Sequence, residues 1–401
     1  MKQALVPAVW LLVLLAGLGM FTETVYTPSL PEIARSLNAS ESMVEYTLTI
    51  YLLGFALGTF FWGKLSDRVG RKPCILGGLL IYIIGCVGCY FSNSIEMLMV
   101  SRLIQAFGGS IGSVLGQAIC RDSFQGPALG KAYSLIGASL SAFPAIGPVI
   151  GGFIAESFGW SSIFLVLICF ALFLTIIISL RLPETHLKEN RKPVGIWEVA
   201  SKLLRDKKVL SFGLIVAVGA GQGFTYFAEG PFCLISLLGM TPSEYGLTFI
   251  GISAFSFAGG LFSKKLQDRL SSFTVMSYGL RIIFVGSAVF CGFILLSLQV
   301  PMPNSWLIGI VLGSQAIISF GACMSTSNAM ASALVDYKWC IGTASSLFGF
   351  FYYIIVSLIT YGMGHLHNGT LLPMPLYFLF LSILGMGIQK TMVSNGKTTN
   401  Q

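Results

Sequence analysis

Charge is what this chain has least of: 10% of its 401 residues are Asp, Glu, Lys or Arg, against about 25% in an ordinary soluble domain. That excludes a soluble protein of this length, because a packed core still needs a polar surface and stretches such as 209–228 and 342–364 carry no charge. A disulfide framework is missing too. The nine cysteines fall inside or at the ends of apolar stretches, not as an even set in polar loops, so they read as small buried hydrophobes. No glycine-rich phosphate loop occurs, which argues against ATP drive. No Ser/His/Asp or Cys/His arrangement stands out, so no catalytic constellation is expected and the chain reads as a non-enzyme. The three histidines suggest no metal set: His365 and His367 fall in an expected solvated loop, and His186 stands alone in a basic segment. No small-residue cleavage site follows the first apolar run, which is therefore read as a span, not a signal peptide.

What is abundant is hydrophobic residues, at 55%. Apolar stretches fall at about residues 6–27, 44–63, 74–91, 97–119, 131–155, 161–180, 209–237, 246–262, 274–298, 305–333, 342–364 and 374–389. Each is close to the roughly 20 residues a helix needs to cross the hydrocarbon layer. None shows the two-residue alternation of barrel strands, so helices are the spanning element. The expected fold class is an all-α membrane protein with twelve transmembrane helices, and the 46 glycines suit close helix packing in lipid.

The net charge of +8 would suggest nucleic acid in a soluble chain. Here nearly all Lys and Arg lie in alternate loops, on the side that also holds both termini. By the positive-inside rule that side is cytoplasmic, and nucleic acid drops out as a partner. The exceptions are Arg35 in an opposite-side loop, Arg102 within span four and Arg281 near the start of span nine. The one sizeable polar segment, 181–208, divides the chain into a first half, 1–180, and a second half, 209–401, of six spans each. Leu65-Ser66-Asp67-Arg68-Val69 after span two is echoed by Leu266-Gln267-Asp268-Arg269-Leu270 after span eight, an offset of 201 from residue 65 to residue 266. Paired six-helix halves mark a class of secondary transporter whose substrate binds between halves that rock about it.

The loop after span two reads Gly63-Lys64-Leu65-Ser66-Asp67-Arg68-Val69-Gly70-Arg71-Lys72. Its glycines permit a tight turn, and Asp67 with the cations can form ion pairs that break and reform between two states. The segment resembles the G-x-L-x-D-R-x-G-R-K signature of the major facilitator superfamily at every defined position. Span four, with Arg102, Gln105, Gly108, Gly112 and Gly116, resembles that superfamily's R-x-x-Q-G-x-G motif, which implies a part for Arg102 in proton transfer; snorkelling of Arg102 to the nearby surface is the structural alternative. Arg121-Asp122 resembles the pair that couples to the loop motif, implying a latch. Span five carries Pro144 and Gly147-Pro148-Val149-Ile150-Gly151-Gly152 and resembles the G-P-x-x-G-G antiporter motif, which implies export.

A narrower resemblance is to drug:proton antiporters of the bicyclomycin and chloramphenicol resistance (Bcr/CflA) type. It rests on Tyr26-Thr27-Pro28-Ser29-Leu30-Pro31, Gly230-Pro231-Phe232, Ser327-Asn328-Ala329-Met330-Ala331 and Gly342-Thr343-Ala344-Ser345-Ser346-Leu347. It implies a monomeric carrier in the bacterial inner membrane that exports small, often amphipathic molecules against protons, with no cofactor beyond the proton gradient. The alternatives are a same-fold carrier of a dedicated metabolite, nutrient or siderophore, and a non-transporting membrane sensor. Relatives of this type usually place an aspartate four residues before the proline of the Y-x-P element, where this chain has Thr24; Glu23 stands one position earlier.

With Glu41 and with Glu45, at the edge of span 44–63, counted in the external loop before span two, Glu23 and Glu229 are the only carboxylates expected inside spans, and each would cost about 2.5–3.5 kcal/mol at a bilayer centre if left uncompensated. Burial and a nearby cation act in opposite directions on a carboxyl, so such a group can exchange protons near neutral pH. Glu23, Arg102 and Glu229 are therefore the proton-coupling candidates. Gln222, Thr225, Tyr226 and Glu229 form one polar helical stripe at spacings of seven, four and three before Glu229. With Tyr26, Gln315, Asn328, Ser345 and Tyr352, the acids Glu23 and Glu229 together with Gln222 and Tyr226 make up the expected substrate cavity.

Overall fold

The computed structural model describes residues 7–186 and 196–398; residues 187–195 of the expected linker, the first residue of the first expected span and the chain ends lie outside it. Every regular element among the described residues is helical. In chain order these are α1 (Val9–Tyr26), α2 (Leu30–Ser36), α3 (Glu41–Val69), α4 (Arg71–Tyr90), α5 (Ile95–Ser123), α6 (Gly126–Phe158), α7 (Ser162–Arg181), α8 (Ile196–Arg205), α9 (Lys207–Pro231), α10 (Pro242–Gln267), α11 (Ser272–Ser297), α12 (Asn304–Ala333), α13 (Ile341–Leu366) and α14 (Pro373–Thr398).

Setting aside the short α2 and α8, twelve long helices coincide one for one with the twelve expected spans. Among the described residues, ten helical segments have the length and hydropathy to cross a membrane alone, the first being α1 and α2 joined through a 3-10 turn at Thr27–Ser29. Helix starts follow local chemistry. Ser40, Ser94 and Ser271 accept a hydrogen bond from a backbone N–H of the first turn of α3, α5 and α11, and Thr241 with Glu244 closes a capping box on α10. The expected linker is not all loop, because its last third is the short helix α8, apolar along the face that buries Val199 and Leu203.

Two large hydrophobic cores form among the described residues, with two smaller clusters beside them, one of which joins Leu52 to Ala217 and Val356 across the halves. Of the large cores, one draws on α1 to α7 and reaches residues 228 and 232 of the second half, and the other runs from α8 to α14. The halves meet along two seams, α3 against α13 and α6 against α10. These are spans two with eleven and five with eight, the two pairings that the 201-residue repeat interchanges. Each seam needs small residues where backbones touch. A Cβ on Gly152 would meet the carbonyl oxygen of Pro242 at 2.2 Å, and one on Gly246 would meet that of Pro148 at 2.3 Å. Gly147 and Gly151 leave room for Thr24 and Val25 of α1 in the same way. The span-five motif, with Pro144 and Pro148 inside α6, thus packs α6 against both α1 and the other half of the molecule.

Gly152→Ala is expected to lower thermal stability in detergent by about 1–3 kcal/mol, the range for overpacking a filled contact. Gly251→Ala, where nothing lies within 4 Å, serves as the control. Equal unfolding midpoints for the two variants would remove the seam as a close-packing constraint.

Candidate functional site

The bundle has a basic end, carrying the α3–α4 turn, and a far end on the opposite side. At the basic end Gly70 joins α3 to α4 with φ 114°, a conformation that favours glycine. That turn swings Arg71 inward, where it is 7% exposed. Its Nη1 donates to Asp67 Oδ1 at 2.6 Å and Ser66 Oγ at 2.8 Å, and its Nε donates to Asp122 Oδ2 at 2.9 Å. One guanidinium therefore ties α3 to the end of α5 with charge-assisted bonds. Glu184, which the sequence did not single out, accepts from the backbone N–H of Arg71 at 2.9 Å and of Lys72 at 3.1 Å, capping α4 with a carboxylate. Arg68 is exposed on this surface. Gly63 and Arg121 face the other half: a Cβ on Gly63 would meet Ser346 Oγ at 2.9 Å, and the Arg121 guanidinium lies against Gly342 at the start of α13.

Between the halves, α3, α5, α12 and α13 enclose a cavity of about 180 Å³. It runs from Arg121 and Gly342 at the basic end to Tyr352 and Tyr353 deeper in. Thr59, Ser113, Gln117, Ser345 and Ser346 give it polar walls, and Phe348 an apolar one. Its inner end is shut by a ring pair from opposite halves, Phe55 and Tyr353, with centroids 4.9 Å apart.

Behind that pair lies a buried polar cluster of the first half. Arg102 is fully buried, so it does not snorkel to the surface. Its guanidinium carbon lies 4.2 Å from the ring centroids of both Tyr26 and Tyr51, and Nη1 donates to Gln105 Oε1 at 2.7 Å. Nε and Nη2 have no hydrogen-bond partner. Tyr51 donates to the Gly19 carbonyl at 2.8 Å, which aligns α3 with α1, and Tyr26 shares a 2.9 Å bond with Thr47. Glu23 is 3% exposed with Oε1 unpartnered; the Arg102 guanidinium is the charge that bears on it, without an ion-pair contact between them. Phe55, whose ring lies against Gly19 one turn before Glu23, stands between this cluster and Tyr353 of the cavity wall. Thr24 turns away and bonds to Met20 O at 2.9 Å, beside Gly147 of α6. The one-residue offset thus separates the roles: position 23 faces Arg102, and position 24 packs the helix.

The other expected cavity residues divide. Ser345 and Tyr352 line the cavity; Tyr26 is sealed under Arg102. Gln222, Gln315 and Asn328 lie elsewhere. Gln222 donates to Phe378 O at 2.8 Å and ties α9 to α14. Asn328 donates to Ser263 Oγ at 2.8 Å and accepts from Gln267 Nε2 at 2.6 Å, tying α12 to α10. Gln315 is buried near Ser319, with its Oε1 unpartnered. Tyr226 packs its ring against Phe249 in the second core. A polar residue in lipid must find a partner, and a neighbouring helix supplies one as readily as a cavity.

Glu229 sits apart from Glu23, at the far end. Its Oε2 is 2.9 Å from His367 Nδ1, and Cys233 donates to its Oε1 at 3.6 Å. The helix widens to a π turn over Phe232–Leu237, immediately after Pro231. Glu41 and Glu45, expected in an external loop, form the first two turns of α3, and the Glu45 side chain is fully buried. His367, expected in a solvated loop, is a correction as well: its side chain is 8% exposed and meets Glu41, Glu45 and Glu229. Desolvation opposes its charge, but the carboxylates of Glu229 and Glu45 beside it outweigh this and push the imidazole up to about 10. The spacing Glu41 to Glu45 was the available sequence signal, since four residues put both on one helix face.

The Major Facilitator Superfamily family model matches residues 9–360. An uncharacterized transporter of Rickettsia bellii is 34% identical over 391 residues, 95% of each chain. A bicyclomycin resistance protein homolog of Haemophilus influenzae is 32% identical over 340 residues, covering 84% of this chain and 83% of its own. Among solved structures, a bacterial homolog of the human lysosomal transporter Spinster superposes with a TM-score of 0.70 at 16% identity, covering 96% of this chain and 95% of that one, which bears on the fold alone.

Arg102→Met removes both ring contacts, each worth about 0.5–2 kcal/mol. A loss of about 1–4 kcal/mol is expected in the unfolding of detergent-purified protein, and an unchanged midpoint would show that the tyrosine rings do not hold the cation.

Proposed function

The chain belongs to the major facilitator superfamily, and from that premise we propose that it is a secondary active transporter exporting small drug-like or amphipathic molecules in exchange for protons. The observation that carries this reading is Glu23: a buried carboxyl with an unpartnered oxygen, next to the buried cation Arg102 and behind the tyrosine wall of the inter-half cavity. One oxygen of this acid has no hydrogen bond to offset its cost in lipid, and intramembrane acids of this kind serve proton relay. The span-five motif and the bicyclomycin resistance relative support export over uptake. In this reading the basic end is cytoplasmic, both termini with it, in the inner membrane of a bacterium.

The cycle follows from the two seams. A cavity of about 180 Å³ is smaller than the roughly 300–1,000 Å³ of a drug-sized site, so binding requires the halves to part. Substrate enters past Arg121 and Gly342 and displaces Phe55 and Tyr353 to reach Glu23. A proton arriving from outside neutralises Glu23, weakens its hold on Arg102 and releases substrate, after which the halves rock back about α3–α13 and α6–α10. The Asp67–Arg71–Asp122 set breaks and reforms as the basic end opens and closes. The carrier works as a monomer, because the whole pathway lies within one chain.

Everted vesicles energised by respiration, loaded with this protein and offered bicyclomycin as a trial substrate, should show substrate-induced proton release and proton-dependent uptake. Glu23→Gln should abolish coupled transport while the protein remains folded. Active efflux at the unmutated rate in that variant would eliminate Glu23 as the carrier.

A further inference from the structure

The far end of the α3–α13 seam holds a set of side chains that proton exchange at Glu23 does not use. We propose that Glu45, Glu229 and His367 form a binding site for a divalent transition-metal cation of the zinc class, clasping the first half of the bundle to the second. Glu45 comes from α3, Glu229 from α9, and His367 from the turn after α13. One ligand atom from each lies within 4.8 Å of the other two.

Three features point to a cation between them. Glu45 is fully buried, yet neither of its carboxylate oxygens has a hydrogen-bond partner. Oε1 does lie 3.2 Å from His367 Nδ1, but that nitrogen is already 2.9 Å from Glu229 Oε2, and one ring N–H serves one acceptor well. Charge gives the second argument. Two buried carboxylates against a single imidazolium leave one negative charge unbalanced in a water-poor site, whereas a dication with a neutral imidazole brings the three ligands to zero. The third is orientation. His367 Nε2 is 2.9 Å from Glu41 Oε2, so a carboxylate grips the outer nitrogen and turns Nδ1 toward the two buried acids. Cys233 holds the free oxygen of Glu229, and the Phe232 ring closes one side of the imidazole at 5.7 Å. A carboxylate behind a ligating histidine is the usual outer support of a zinc site. One imidazole with two carboxylates suits zinc, manganese or cobalt better than calcium or magnesium, which prefer all-oxygen sets.

The test uses the full-length protein in detergent, stripped with a chelator and titrated with zinc chloride by calorimetry, with zinc X-ray absorption as a second readout. One zinc per chain is expected, bound through oxygen and a single imidazole. Glu45→Gln and His367→Gln should abolish that stoichiometric binding, Glu41→Gln should weaken it by about 10- to 100-fold, and His365→Gln, an exposed neighbour, should leave it unchanged. No stoichiometric binding by the unmutated protein, a sulfur-ligated zinc, or binding that survives His367→Gln but not His365→Gln would overturn the proposal. The absorption measurement uses unmutated protein and so decides the ligand set even where a variant does not fold. All readouts report binding and not transport, so failure of the export reading leaves this test intact.

Discussion

Hydrocarbon supplies neither hydrogen bonds nor screening, so a chain that crosses it repeatedly must satisfy its backbone within helices and its charges within the bundle. Arg102 shows what this demands. It lies two turns into α5 and is fully buried, and the protein surrounds it with two tyrosine rings and one glutamine drawn from α1, α3 and α5. Holding that cation fixes the mutual register of the three helices, because Tyr51 must also reach Gly19 and Tyr26 must reach Thr47. The same need recurs at Arg71, between Asp67 and Asp122, and at His367, among three glutamates. These buried cations are the points about which the first half and its contacts with the second are organised.

Between the charged points, contact is made by what side chains leave out. Gly152 and Gly246 let α6 and α10 touch backbone to backbone, while Gly63 and Gly364 admit Ser346 and Tyr46 across the other seam. Seams of this kind bind through close packing without interlocking side chains, which suits surfaces that must separate and rejoin. Aromatic pairs bridge the gaps: Phe55 with Tyr353 at mid-depth, and Tyr46 stacked on Tyr361 toward the far end. These ring pairs join residues of opposite halves, as the contacts of Ala228 and Phe232 with the first core do.

Legibility from sequence varied with the range of the interaction. All twelve spans were readable because hydropathy over about 20 residues is a local property. Asp67, Arg71 and Asp122 were readable because their spacing matches a known motif. Asn328 and Gln222 looked like cavity residues, but a polar side chain in a span says only that it needs a partner, and Ser263, Gln267 and Phe378 supplied it from adjacent helices. Glu184 was passed over because its partners are backbone N–H groups more than 100 positions away. Glu45 and His367 were placed in solvent because the expected span boundaries fell beside them, and a shift of one helical turn separates an exposed glutamate from a buried one.

The sequence by itself determined that this is a helical membrane protein, how many times it crosses, which residues punctuate the helices and that its halves repeat. Those properties follow from apolar run length, capping and spacing, which act within a few turns of the chain. Only the tertiary structure decided that Glu23 and Glu229 occupy separate sites, that Thr24 packs where Glu23 meets a cation, and that residues 41, 45, 229 and 367 converge. A helix sets direction along its axis, but its rotation against neighbours comes from packing, and a difference of one residue, about 100° around the axis, selects the partner.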